Sequence, residues 1–179
     1  DIFVSSLQSR LQELQLKNEM SKLANTDALT GLYNRYYFDK TFTEFRMRHV
    51  EQQQHFAVML IDINGLKKVN DELGHNAGDQ LIIKIADFLQ FHIRTSDIIA
   101  RIGGDEFVIL LSGADSQYCQ PLADKLMSQV NQETLEFKNQ SIKLSFSCGF
   151  ATSHQDPVDK LIDIADQRMY QVKSKTLES

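Results

Sequence analysis

The sequence is poor in the residues that mark special classes of protein, with two cysteines, two prolines and no tryptophan among 179 residues. Two cysteines cannot build a disulfide framework, so we expect Cys119 and Cys148 to be reduced, partly buried thiols, which suits a reducing compartment. No apolar run reaches the roughly 18 residues that a membrane span needs, and no segment resembles a signal peptide. The expected location is the cytoplasm, which is compatible with a membrane anchor elsewhere in a longer protein.

Basic residues are also fewer than acidic ones. Lys and Arg total 19 against 24 Asp and Glu, which gives a net charge of −5. A protein that binds nucleic acid usually presents a surface patch rich in Lys and Arg, so we expect no nucleic-acid partner. A small anionic substrate stays possible, because a bound cation inverts the local charge balance. The length and the 42% of hydrophobic residues are enough for one buried core with a short appendage.

The appendage is the N-terminal segment, residues 1–25. Val4, Leu7, Leu11 and Leu14 recur at spacings of three and four among polar neighbours, as on an amphipathic helix with a narrow apolar seam. We expect this helix to dimerise with a second copy or to carry a signal from a preceding sensor domain. The alternative is a helix packed on its own domain. Residues 26–179 then form the main domain.

Patterns of helix and strand alternate through the main domain. Helices are expected at 36–50, at 81–93, from Pro121 and after Pro157, and strands at 56–61, 98–102 and 107–111. Four residues join the last two strands, as in a β-hairpin, and a second hairpin is expected around 139–141. Two connections are too short for parallel crossovers. The sequence therefore predicts an α/β domain with a mixed, mostly antiparallel sheet of about five strands, covered by helices.

Acidic residues stand where two of these strands end. Asp62 follows one strand, and the turn Gly103–Glu106 contains Asp105 next to two glycines. Two carboxylates about 4 Å apart repel by roughly 4 kcal/mol at an effective dielectric constant of 20, so a shared site must bind a proton or a cation. Hard oxygen ligands favour Mg²⁺ or Mn²⁺. Considered separately, Asp62 and Asp105 could each be an ordinary solvent-exposed residue at the end of a strand.

A polar segment lies between these two strand ends. Asn70, His75 and Asp79 are expected on a loop beside Gly74 and Gly78. Asn and Asp together can recognise the donors and acceptors on the edge of a guanine, although an ordinary Asx-rich turn has the same composition. The sequence has no Walker A motif and no G-x-G-x-x-G fingerprint.

Five blocks of sequence, in order, resemble the GGDEF domains, the diguanylate cyclases. The signature-like block is Gly103-Gly104-Asp105-Glu106-Phe107. The other four blocks are Asp27-Ala28-Leu29-Thr30-Gly31-Leu32-Tyr33-Asn34-Arg35; Asp62-Ile63-Asn64 with Lys67, Asn70-Asp71, Gly74-His75 and Gly78-Asp79; Ser147-Cys148-Gly149; and Ala165-Asp166 with Tyr170 and Lys173. The resemblance covers residues 26–175.

The resemblance implies an adenylyl-cyclase-like or polymerase-palm-like fold and the condensation of two GTP into cyclic di-GMP, across a homodimer. The implied metal ligands are Asp62, the Ile63 carbonyl and Asp105, with Mg²⁺ or Mn²⁺ as cofactor. Asp105 is also the implied general base, Lys67 would stabilise charge, and Glu106 would lie beside the metal. The implied substrate contacts are Asn70 and Asp79 with guanine, His75 beside them, and Lys173 with phosphate.

Arg94 and Asp97 resemble the R-x-x-D site at which family members bind their product and are inhibited by it. A helix-end arginine with a capping aspartate would give the same pattern. Three positions depart from the family pattern: Asn64 replaces an Asp, Leu66 replaces a Phe, and Leu177 stands where an Arg would contact phosphate. The alternatives to a cyclase are therefore a weak or inactive domain that senses cyclic di-GMP or GTP, and a plain dimerisation domain.

Overall fold

The computed structural model describes residues 2–177, and the side chains of residues 4–175. Within that range the helices are α1 Ile2–Asn25, α2 Arg35–Gln52, α3 Leu66–Leu73, α4 His75–His92, α5 Ser116–Val130 and α6 Leu161–Leu177. The strands are β1 Phe56–Ile63, β2 Ile98–Arg101, β3 Glu106–Ser112, β4 Thr134–Phe137, β5 Gln140–Lys143 and β6 Phe146–Thr152.

Four strands form the main sheet, in the order β2-β3-β1-β6, and each pairs with its neighbours in antiparallel orientation. Strand β1 lies inside the sheet and all eight of its residues are buried, as its continuous apolar sequence predicts. An isolated parallel bridge joins Tyr33 to Ala100 at the β2 edge. Strands β4 and β5 form a separate ribbon. The predicted fold class is confirmed.

The two faces of the sheet bury two apolar clusters, because successive residues of β1 point to opposite sides. Met59 and Ile61 face α4 and α5 in the larger cluster. Val58 and Leu60 face α2 and α6 in the smaller one. The helices therefore cover both faces and leave the ends of the strands free to carry polar groups.

Helix α1 runs without interruption for 24 residues. Its seam residues Val4, Leu7, Leu11 and Leu14 are each about half exposed, so in the described part of the chain the seam is not buried against its own domain. No helix among the described residues is long and apolar enough to cross a membrane.

Two local predictions were wrong. Pro121 lies inside α5, because Asp115 caps the helix by accepting the Tyr118 N–H at 3.0 Å and so starts it one turn earlier. The second hairpin is present as the β4–β5 ribbon, which turns at Lys138 and Asn139, both with positive φ, and the strand after it, β6, joins the main sheet.

The expected polar loop is instead a pair of helices. Asn70 lies on α3, and His75 and Asp79 lie on α4. The two helices are separated at Gly74, whose φ of 86° is readily reached by glycine.

Candidate active site

One end of the main sheet gathers the acidic residues that the sequence singled out. Asp62, near the end of β1, is paired with Glu106 of β3 on one side and with Ser147 of β6 on the other. Asp62 is only 8% exposed although it carries a carboxylate. The predicted convergence of Asp62 with the Gly103–Glu106 turn is therefore present.

The conformation of the turn before β3 is fixed by hydrogen bonds to the carbonyl groups of Asp105 and Glu106. The Ile102 N–H donates to the Glu106 carbonyl at 2.9 Å, and the Ile63 N–H donates to the Asp105 carbonyl at 2.9 Å. At Gly103 an added Cβ would come within 2.5 Å of Glu106 Oε2, so glycine lets that carboxylate fold back over the turn. The backbone that carries Asp105 and Glu106 is thus fixed from both strands.

Arg101 completes this fixation, and the sequence had not marked it. Its Nε donates to the Gly103 carbonyl at 3.1 Å and its Nη2 to the Gly104 carbonyl at 2.9 Å. Its Nη1 donates to both carboxylate oxygens of Asp27, at 3.2 and 3.3 Å. The guanidinium therefore ties the turn to the segment that follows α1. This contact joins residues 74 positions apart, so no local pattern could have revealed it.

Lys173 of α6 reaches the same sheet end. Its Nζ donates to Asp62 Oδ1 at 2.6 Å. Helix α6 approaches β6 so closely at Gly149 that an added Cβ would overlap the backbone of Met169 and Ala165. Gly149 thus permits the packing that brings Lys173 to Asp62.

The acids at this end perturb one another. Burial raises the pKa of Asp62, and the charges of Asp105 and Asp166 add to the rise, while the Lys173 ammonium opposes it. Burial also raises the pKa of Glu106, helped by Asp105 and Asp62. Asp166, which the sequence flagged only as part of a motif, adds to the negative potential. Such a cluster favours a cation as its counter-charge.

The donor set fits Mg²⁺ or Mn²⁺. Ile63 donates its N–H to the Asp105 carbonyl, but between these two described residues the reciprocal bond to the Ile63 carbonyl is not formed. In an extended strand the carbonyl of a residue points to the same side as its N–H, so the Ile63 carbonyl lies beside the two carboxylates and could join them as a cation ligand. Among the described residues no three His, Cys, Asp or Glu side chains are arranged to hold a metal. A divalent ion here would need further oxygens, as Mg²⁺ commonly takes from substrate phosphates.

The other predicted substrate residues follow the same strand end. Lys67 lies in the first turn of α3, where helical N–H groups lack acceptors and favour an anion. Asn70 packs against Gly78 of α4, where an added Cβ would overlap Asn70 Oδ1. His75 and Asp79 are exposed in the first turns of α4. The contact between Asn70 and Gly78 thus joins the two helices.

Arg94 and Asp97 lie at the opposite end of β3, roughly 20 Å away for a strand of this length. Arg94 Nε donates to Asp97 Oδ2 at 2.9 Å, and the buried carboxylate also accepts the Ser112 N–H at 3.1 Å. The Arg94 guanidinium stacks on Tyr118, 4.6 Å from the ring centre. Arg94 and Asp97 are therefore in contact, and in this structure they form an ion pair with each other.

The antiparallel sheet with helices on both faces defines an α/β domain of the adenylyl-cyclase-like class. A family model described as "Diguanylate cyclase, GGDEF domain" matches residues 24–178, so the chain belongs to the GGDEF domain family.

Two relatives in the comparison are longer proteins. The chain is 33% identical over 176 residues to the diguanylate cyclase TpbB of Pseudomonas aeruginosa, covering 95% of this chain and 39% of that protein. It is 32% identical over 168 residues to the diguanylate cyclase DgcS of Shewanella oneidensis, covering 94% and 55%. The chain thus spans about two fifths of the first relative and just over half of the second.

Solved structures share the fold. The coiled coil and GGDEF domain of DgcB from Caulobacter crescentus superposes with a TM-score of 0.85 at 22% identity, over 96% of this chain and 93% of that one. The GGDEF domain of TpbB from P. aeruginosa gives 0.77 at 32% identity, over 84% and 89%. The first match extends over α1 as well as the sheet.

Proposed function

We propose that this domain is a diguanylate cyclase, which condenses two GTP into cyclic di-GMP and two pyrophosphates. The observation that carries the proposal is the meeting of Asp62, the Ile63 carbonyl and Asp105 at one sheet end, in a family named for this activity. The named cyclases TpbB and DgcS, about a third identical to this chain, support it. Asp62, the Ile63 carbonyl and Asp105 would hold the Mg²⁺, which supplies charge neutralisation to the triphosphate.

The protein groups supply position and proton transfer. Asp105 accepts the proton of the 3′-hydroxyl of one GTP as that oxygen bonds to the α-phosphorus of the other GTP. The bond between the α-phosphorus and the bridging oxygen breaks, and pyrophosphate leaves. Lys67 and the N-terminus of α3 stabilise the charge on the phosphates, and Lys173 contacts them. Asn70 and Asp79 bind the guanine edge, with His75 beside them.

Two subunits are needed, because each domain holds one GTP and its 3′-hydroxyl must meet the α-phosphate of the other. We propose that residues 1–25 form the segment through which the copies pair, and that residues 26–179 are the catalytic unit. The half-exposed apolar seam of α1 supports this division. An N-terminal sensor domain in a longer protein would act through the same helix.

The test is incubation with GTP and Mg²⁺, with products separated by chromatography. Cyclic di-GMP and pyrophosphate are expected in a ratio of one to two. Absence of the cyclic product at high concentration of confirmed dimer would refute the proposal.

Asp105→Ala should abolish turnover but preserve the fold, since a half-buried acid at a turn is no part of the core. Its removal also relieves repulsion with Asp62 and Glu106, so the melting temperature should stay level or rise. Asp159→Ala, an exposed acid beyond β6, is the control and should keep full activity. A large fall in the melting temperature of Asp105→Ala would contradict the assigned role.

A second candidate is a domain that binds cyclic di-GMP without turnover. Arg94 and Asp97 support it, together with the GGDEF domain of C. crescentus DgcB, 25% identical, which is described in complex with c-di-GMP. Product feedback inhibition of an active cyclase would use the same pair. Calorimetry with cyclic di-GMP should show binding that Arg94→Ala removes, and undiminished binding would exclude this site.

A further inference from the structure

Asn64 stands where the family pattern has an aspartate, and its side chain is anchored to the chain around β6. Its Nδ2 donates to Ser145 Oγ at 2.9 Å, and its Oδ1 accepts the Ser147 hydroxyl at 3.0 Å. Its backbone N–H donates to the Ser145 carbonyl at 2.9 Å. Ser147 has no exposed surface. Asn64 is thus held at three points and directs neither amide atom to the acidic cluster.

This anchoring fixes the neighbouring carbonyl. The Ile63 carbonyl and the Asn64 N–H belong to one planar trans peptide group, so they point in opposite directions. Because that N–H is bonded to Ser145 on the β6 side, the Ile63 carbonyl faces the β3 side, where Asp105 lies. The Ile63 N–H, bonded to the Asp105 carbonyl, fixes the preceding peptide group in the same way.

We propose that Asn64 is a positioning residue for the cation site: its side-chain bonds to Ser145 and Ser147 hold the backbone hydrogen bond from Asn64 to the Ser145 carbonyl in place, and this bond sets the 63–64 peptide plane so that the Ile63 carbonyl faces the cation. The proposal rests on the function proposed above for the same site. It explains how an asparagine can replace the aspartate of the family pattern at this position. An aspartate would accept hydrogen bonds from the hydroxyls of Ser145 and Ser147 and keep the plane in place, whereas alanine would leave both serines without this partner.

The test compares Asn64→Ala and Asn64→Asp by calorimetric binding of a non-reacting GTP analogue across a Mg²⁺ titration. Asn64→Ala should need about tenfold more Mg²⁺ for half-maximal nucleotide binding, as is typical when a partner of a ligand is removed. Metal-free nucleotide affinity should be unchanged, because Asn64 does not contact the nucleotide. Asn64→Asp should restore the Mg²⁺ requirement to within about threefold of the original chain. Asn131→Ala, an exposed asparagine after α5, is the matched control.

The outcomes separate this proposal from the proposed function. Unchanged Mg²⁺ dependence in folded Asn64→Ala would overturn the positioning role even if the protein makes cyclic di-GMP. A shifted dependence without any turnover by the original chain would support Asn64 and refute the cyclase. If Asn64→Ala fails to fold, Ser145→Ala and Ser147→Ala each remove one bond. Either should shift the Mg²⁺ dependence by about threefold, and no shift in both would overturn the proposal.

Discussion

Arg101 shows how much one side chain contributes when all its donor positions are used. The planar guanidinium binds two turn carbonyls and the Asp27 carboxylate at once, a geometry that the point charge of a lysine cannot reproduce. Asp27 also accepts the N–H and hydroxyl of Thr30, at 2.9 and 2.8 Å, so the carboxylate is itself held in place. Arg101 therefore connects two motifs that are separate in the sequence.

We predict that Arg101→Lys lowers the free energy of unfolding by about 1–3 kcal/mol, because two carbonyls lose a charged donor. Turnover should fall by tenfold or more while the KM for GTP changes little, since the residue orients Asp105 and does not bind the nucleotide. Urea unfolding and steady-state kinetics measure the two effects. Arg10→Lys, on exposed α1, should change neither. An equal fall in both kcat and nucleotide affinity would contradict a purely orienting role.

At the scale of elements, the contact between α6 and β6 determines where Lys173 lies. We predict that Gly149→Ala lowers the free energy of unfolding by about 1–3 kcal/mol, because the added methyl group must displace the α6 backbone. Gly104→Ala, which meets nothing within 4 Å, is the control and should change stability little. Urea unfolding measures both variants. Equal stability of the two would mean that α6 does not pack closely at Gly149.

The far end of β6 is joined to α6 by an ion pair. The Asp156 carboxylate accepts two hydrogen bonds from Arg168, at 2.9 and 3.0 Å, and one from the Thr152 N–H at 3.0 Å. Burial acts to raise the pKa of Asp156, but these hydrogen bonds outweigh it and hold the pKa below its ordinary value.

A lowered folded-state pKa means that the pair stabilises the fold above the ordinary pKa, about 3.9, and loses this contribution as the pH falls through the folded-state value. We predict that Asp156→Asn reduces the loss of stability between pH 5 and pH 3. Urea unfolding over that range measures it. Asp163→Asn, exposed on α6, should follow the original chain. An unaltered pH profile in Asp156→Asn would show that the pair contributes nothing.

Sequence patterns identified the elements that have one strong local signal. The continuous apolar run of β1 and the four-residue turn before β3 both lie where they were expected. The errors arose where two local signals compete. Pro121 suggested a helix start although Asp115 already supplied the cap, and Gly74 suggested a loop although it only separates two helices. Contacts such as Arg101 with Asp27 depend on the tertiary fold and leave no local trace.

At the scale of the whole molecule, activity should depend on protein concentration, because each proposed site needs a second subunit. We predict that deleting residues 1–22 lowers specific activity at dilute concentration and that the loss shrinks as concentration rises. The physical reason is the lost apolar seam of α1. Product formation over a dilution series, with sedimentation velocity on the same samples, measures both effects. The same specific activity at every dilution in both proteins would contradict it.

The ammonium of Lys173 beside Asp62 gives the acidic cluster a resident counter-charge. Many small metal-dependent domains unfold on chelation, because binding energy and folding energy are the same quantity. Here the lysine partly offsets the negative charge of the buried carboxylate without an ion, so we expect the chain to stay folded when a chelator removes divalent ions. If the proposed cyclase activity needs Mg²⁺, scarcity of divalent ions would stop turnover and leave the protein folded and protected from proteases, and a returning ion would restore activity without new synthesis.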